Sequence, residues 1–145
     1  LAIDPGSKES GWCAYFPCAK QVTACGIDHN ERMLCILWED AFRNSPVVCE
    51  WVTHYGFKVG STTFDTCRWV GRFEQSLAIP RWEVKRHWCG RPAAADQNVR
   101  AAVVERFGGT TKAAKGTKKK PGPLYGVKSH IWQAVALAVC YAETK

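Results

Sequence analysis

Four side chains stand out as groups that could hold a cation or attack a phosphate if folding brought them together: Asp4, Glu50, His130 and Gln133. Asp4 follows the apolar run Leu1-Ala2-Ile3 and precedes a Pro5-Gly6 turn, so it reads as the last residue of a buried strand. A carboxylate in that position is costly unless a partner neutralises it, and a hard divalent cation is a common solution. Glu50 is the single acid inside a second apolar run, Val47-Val48-Cys49-Glu50-Trp51-Val52. His130 and Gln133 lie one turn apart at the start of a strongly apolar helical stretch, on one face of it. Each feature also has an ordinary reading: Asp4 as part of a turn, Glu50 on the solvent face of an alternating strand.

Cations accompany these groups. Lys85 and Arg86 sit in the basic aromatic segment Trp82-Glu83-Val84-Lys85-Arg86-His87-Trp88, with Arg91 shortly after it. Lys112, Lys115, Lys118, Lys119 and Lys120 crowd into one stretch with Gly and Pro. Such a run is either a solvated loop or a set of phosphate contacts. The whole chain of 145 residues carries 20 Lys+Arg against 13 Asp+Glu, a net charge of +7, which makes a polyanion a sensible partner.

The length suits one domain with its own core. No apolar run is long enough to span a membrane, and no secretory signal pattern is present. None of the eight cysteines pairs with another at Cys-x-x-Cys spacing, and most lie in apolar stretches such as Val47-Val48-Cys49. They read as reduced, buried thiols, which favours a cytoplasmic setting over a disulfide or zinc framework.

The elements that must position the chemistry follow from periodicity and punctuation. Residues 1–4, 11–17 and 21–27 read as three strands joined by short turns, hence an antiparallel meander. A helix over 31–42 leads to a strand over 47–52, and a helical crossover makes that strand parallel to the one before it. Asp4 and Glu50 can then lie on neighbouring strands. The spacing next predicts a helix from 62 or 63 to 77, a strand over 82–88 and a helix over 97–107 stopped by Gly108-Gly109. A basic flexible loop at about 109–126 precedes the last helix, 130–142.

In this order Ile3-Asp4-Pro5-Gly6, Cys49-Glu50, Val84 to Gly90, Asp96 to Arg100, Arg106-Phe107-Gly108 and Ser129-His130-x-x-Gln133-Ala134 span nearly the whole chain. The set resembles the RuvC-like Holliday junction resolvases, especially the small phage-encoded type. The resemblance implies an α/β, ribonuclease H-like fold with a mixed five-stranded sheet, the antiparallel meander followed by parallel strands, flanked by helices. It also implies a homodimeric endonuclease that nicks two strands of a branched DNA junction with Mg²⁺ or Mn²⁺. Two ions about 4 Å apart stabilise the entering and leaving oxygens of a phosphodiester in such chemistry. By position Asp4 bridges both ions, Glu50 binds one, and His130 ligates or activates. Lys85 matches the family's catalytic lysine. Lys85, Arg86, Arg91 and the lysines at 112, 115, 118, 119 and 120 are the expected DNA contacts.

Three departures matter. The family carries two acids three residues apart where this chain has His130 and Gln133; the amide oxygen of Gln133 is a weaker metal ligand. Asp96 stands where the family has a second lysine, either as a helix cap or as a substitute acid. The lysine-rich insert is longer than the bacterial connection. Other readings stay open: a hybrid ribonuclease or transposase-type nuclease on the same fold, a non-catalytic DNA-binding protein, or a zinc-structured module. A two-fold junction calls for a two-fold dimer, with Phe64, Trp69 and Phe73 as candidate anchors. Tyr55, Phe57, Trp82 and Trp88 are candidates to wedge a branch point or to fill the core.

Overall fold

The meander forms as its short turns dictate. In a computed structural model, which describes residues 1–145 except 41, 54, 55, 57, 74 and 75, strands β1 (Ala2–Asp4), β2 (Glu9–Phe16) and β3 (Gln21–His29) run antiparallel. Helix α1 (Asn30–Trp38) carries the chain over the sheet to β4 (Val48–Trp51), which lies parallel to β1 on its other side. Helix α2 (Ser61–Arg72) leads to β5 (Leu77–Pro80), parallel to β4. The five-stranded sheet has the order β3-β2-β1-β4-β5 and is mixed, as expected. Tyr55 and Phe57 lie outside the described residues.

The expected strand over 82–88 is instead helix α3 (Arg81–Cys89), and the strand is the shorter β5 just before it. Pro80 is the reason. Its fixed φ of −71° ends the strand and sets the entry of the helix, where the missing N–H costs nothing. Glu83 occupies the first turn, and Gly90 closes the helix in a left-handed conformation, φ 73°. Val84 and Trp88, four residues apart, face the core, and the Trp88 indole donates to the Ala136 carbonyl at 3.0 Å. Trp82, on the first turn of α3, is partly exposed.

Helix α4 (Asp96–Gly108) follows. The lysine-rich segment, expected to lack regular structure, holds the short helix α5 (Thr111–Lys115) and an isolated bridge between Gly116 and Pro121. Composition hid its anchors: Ala114, Leu124 and Val127 are fully buried. Helix α6 (Ile131–Thr144) ends the chain and is buried along nearly its whole length from Ile131 to Cys140.

The sheet divides two cores. On one face α6 lies between the strands and helices α3 and α4, with Ala2, Val48 and Ile79 supplied by the sheet. On the other, α1 and α2 cover Ile3 and Cys49 with Met33, Ile36, Trp69, Val70 and Phe73. Trp69 and Phe73, expected as interface anchors, therefore fill this second core, while Phe64 stays 66% exposed. The eight cysteines are all free thiols, with Cys13, Cys49 and Cys140 buried.

Candidate active site

Strand alternation decides where the two acids point. Ala2 and Val48 pair and face α6, while Ile3 and Cys49 pair and face α1 and α2. The next residue on each strand, Asp4 and Glu50, must turn back toward α6. They emerge side by side at the C-terminal ends of two parallel strands, where open α/β sheets place their ligand crevices. The cleft there has a volume of about 690 Å³ and is lined by Asp4, Glu50, Arg81, Asp96, His130 and Gln133.

Asp4 is 8% exposed, and burial together with the neighbouring Glu50 raises its pKa to about 7, against the opposing pull of Arg81. Glu50 is also raised, by burial, although Arg81 acts to lower it. A buried carboxylate whose ionisation is hindered by a neighbouring one marks a site short of positive charge.

The turn after Asp4 is tied down from the start of α1. Asn30, fully buried at the start of α1, donates to the Gly6 carbonyl at 2.9 Å and accepts from Ser10 Oγ at 2.6 Å. Its own N–H bonds to the carbonyl of Lys8. Opposite Asp4 in the ladder stands Gly11, and here a side chain has no room. A Cβ on Gly11 would lie 2.9 Å from the carbonyl carbon of His130. The glycine lets the first turn of α6 press onto the strand, which puts His130 Nδ1 3.5 Å from Asp4 Oδ2. Ser129 holds the turn into α6 with a left-handed φ of 42°, uncommon for a non-glycine residue. One turn along, Gln133 Oε1 is buried with no hydrogen-bond partner among the described residues. Such an orphan acceptor costs about 1–3 kcal/mol and marks a place for a donor or a cation.

Arg81, the first residue of α3, reaches from the end of β5 and forks between two acids. Its Nη1 lies 2.6 Å from Glu50 Oε1, its Nη2 2.8 Å from Asp96 Oδ2, and its Nε 3.4 Å from Asp96 Oδ1. Lys85, on the same helix rather than on a strand, reaches Asp96 Oδ1 at 3.1 Å. Asp96 is not the cap of α4, since Ala95 holds that position; its side chain lines the cleft instead. Partial burial works against its ionised form, yet hydrogen bonds from Arg81 and Lys85 hold it below the usual carboxylate range. Arg81 directly follows a strand-ending proline at the end of the sheet that also carries Asp4, an adjacency that marks its place but not its partners.

The remaining cations divide into two groups. Lys115 stands 5.4 Å from the Trp132 ring and Arg100 4.6 Å from it, so both flank the residue before Gln133. Lys112, Lys118, Lys119 and Lys120 are exposed, the last three on a turn closed by bonds between Thr117 and Lys120. Arg86 and Arg91 are exposed too and make no ion pair among the described residues.

A divalent ion fits this donor set. Asp4, Glu50 and the Gln133 amide supply hard oxygens, His130 a nitrogen, and the orphan Gln133 oxygen and raised Asp4 both call for positive charge. As the side chains stand, no three His, Cys, Asp or Glu groups among the described residues converge on one point. Glu50 is turned onto Arg81 instead.

Neither a family model nor a curated protein matches the sequence. Solved structures do match the fold. Thermus thermophilus RuvC superposes with a TM-score of 0.60 at 20% identity, over 97% of this chain and 91% of that one. The same protein in complex with a Holliday junction substrate gives a TM-score of 0.60 at 20% identity, over 97% and 90%. Strand order, the crossovers and this near-complete coverage agree: the chain has the RuvC-like form of the ribonuclease H-like fold.

Proposed function

We propose that this protein is a structure-specific DNA endonuclease that resolves four-way and other branched junctions by metal-dependent paired nicking. One observation carries the reading. Asp4, buried, and Glu50, its side chain 12% exposed, stand at the C-terminal ends of adjacent parallel strands and line one cleft with His130 and Gln133, whose amide oxygen is unsatisfied. On a RuvC-like fold, one of whose members has been solved on a Holliday junction, that arrangement suits phosphodiester hydrolysis.

Asp4, Glu50, His130 and Gln133 would hold Mg²⁺ or Mn²⁺, in one or two ions. The bound metal would supply Lewis-acid stabilisation of the attacking and departing oxygens. The chain's own groups do the rest. The Asn30 bonds hold the turn beside Asp4, and the close seat over Gly11 keeps His130 aimed at it. Lys85, freed from Asp96 by a competing phosphate, would neutralise charge on the scissile group. Arg86, Arg91 and the lysines at 112, 115, 118, 119 and 120 would meet the duplex arms through phosphates. Paired nicking of a two-fold junction needs a second copy of the site, and the exposed Phe64 on α2 is the anchor left for a homodimer.

The test is strand cleavage of a mobile four-way DNA junction in Mn²⁺, with Asp4→Asn and Glu50→Gln as controls. Symmetric nicks that vanish in both variants support the proposal; undiminished activity in either variant refutes the metal site. Gln133 in an acid's place favours one other reading, a junction-binding protein without cleavage. Salt-dependent binding with no nicking at any Mg²⁺ or Mn²⁺ concentration would establish that instead. Cleavage of an RNA–DNA hybrid and not of branched duplex would move the protein to a hybrid ribonuclease.

A further inference from the structure

The guanidinium of Arg81 occupies an unusual place for a site that is to receive cations. It lies 2.6 Å from Glu50, whose side chain is only 12% exposed, and already makes two further bonds to the half-exposed Asp96. We propose that Arg81 is a resident counter-cation: it neutralises Glu50 in the metal-free protein and yields that carboxylate to the divalent ion by settling wholly on Asp96. The inference rests on the reading of Asp4 and Glu50 as metal ligands.

Three features of the geometry point this way. Arg81 sits between its two acids with separate nitrogens on each, so release of Glu50 breaks one bond and leaves two in place. The planar fork of an arginine suits that two-point hold on one carboxylate, as a lysine would not. Its backbone is pinned, since Pro80 and the first turn of α3 fix the entry angle, so the transfer needs only side-chain rotation. Charge favours it as well. Asp4, Glu50 and Asp96 face two fixed cations, Arg81 and Lys85, so the arrival of a divalent ion leaves positive charge in surplus. Arg81 lines the cleft that holds Asp4 and Glu50, and with Lys85 and Asp96 it also lines a smaller pocket beside that cleft, so the surplus sits next to where a phosphate would lie. On this view Asp96 is the parking place of Arg81, which accounts for an acid at a position where a cation would be expected of the fold. Arg81 is thus a positioning residue that sets the cost of loading the site.

Mn²⁺ titration of the DNA-free protein by calorimetry tests the idea, with Arg81→Gln, Asp96→Asn and the double variant compared with the parent chain. Removing the competitor should tighten Mn²⁺ binding about tenfold, a change of the size expected for one displaced ion pair in a half-buried site. Asp96→Asn should weaken binding about tenfold, because Arg81 then has only Glu50 to rest on. The double variant should bind as tightly as Arg81→Gln. Unchanged or weaker binding in Arg81→Gln would overturn the inference, since a purely structural ion pair behaves that way. An equal loss from Asp96→Asn in both backgrounds would also overturn it and make Asp96 a ligand. If circular dichroism shows Arg81→Gln unfolded, the half-exposed Asp96→Asn and the charge-keeping Arg81→Lys carry the test. Both must weaken binding, the second because a lysine cannot make the two-point hold on Asp96 and stays on Glu50; parent-like affinity in either would overturn the inference. No Mn²⁺ binding by the parent chain would sink this inference and the metal reading together; binding that ignores Arg81 sinks this inference alone.

Discussion

Asp4 offers a measurable conflict between stability and function. Its carboxyl is raised from 3.8 to about 7, first by burial and then by Glu50. At about 1.4 kcal/mol per unit, the ionised form costs the folded, metal-free protein roughly 4 kcal/mol, a large share of a typical domain's stability. The sign is definite. The folded state holds the proton more tightly than the unfolded chain, so that stability is fully present below about pH 4 and is lost as pH rises through about 7. Asp4→Asn removes the charge at nearly constant shape. In EDTA at pH 8 the variant should be more stable than the parent by about 2–4 kcal/mol in urea denaturation, with the difference closing toward pH 4. Millimolar Mn²⁺ should then stabilise the parent and leave Asp4→Asn unmoved. Equal stabilities across pH 4–8 in EDTA would refute the reasoning, for they would mean that Asp4 ionises at no cost and that the site has no need of a cation.

Other outcomes follow from the same geometry. Gly11→Ala places a methyl group 2.9 Å from the His130 backbone, so it should lift the first turn of α6, cost about 1–3 kcal/mol in thermal unfolding and weaken Mn²⁺ binding. Asn30→Ala strips partners from the Gly6 carbonyl and Ser10 hydroxyl, and chemical denaturation should report a loss of about 2–3 kcal/mol. Replacing Lys118, Lys119 and Lys120 with alanine should leave the melting temperature unchanged. It should also flatten the log–log salt dependence of junction binding by about 2 to 3. Exposed Cys18, Cys35 and Cys67 should react with a thiol reagent in the native protein. Cys13, Cys49 and Cys140, the last pushed by burial to about 11, should react only after unfolding.

Much of the architecture could be read from the chain because its signals were local. Pro5-Gly6 and the short 17–20 link force reversals, and a helix between 30 and 47 forces β4 to lie parallel to β1. That was enough to bring Asp4 and Glu50 to neighbouring strand ends. The 82–88 segment misled because its apolar residues Trp82, Val84 and Trp88 all fall at even spacings, while the real period is four, from Val84 to Trp88, set by Pro80. The lysine segment misled because three buried residues, Ala114, Leu124 and Val127, suffice to seat it, and charge outnumbers them in any window. Arg81, Asn30 and Gly11 were out of reach for another reason. Their roles depend on what stands across from them, Glu50 and Asp96, Gly6 and Ser10, and His130. No spacing within the chain encodes those encounters.

The sheet that separates the two cores also sets the order in which the cleft can be completed. The pair of acids belongs to the layer beneath α6, yet the turn beside Asp4 is clasped by Asn30 from the layer on the far side. The imidazole over that acid arrives with the closing helix, from the opposite end of the polypeptide. Contacts of such long range form only after costly loop closure. A nascent chain, even one with its meander complete, therefore lacks the assembled cleft. The cleft is complete only once His130 and α6 dock, and a fragment that lacks either layer leaves the two acids without part of their surroundings.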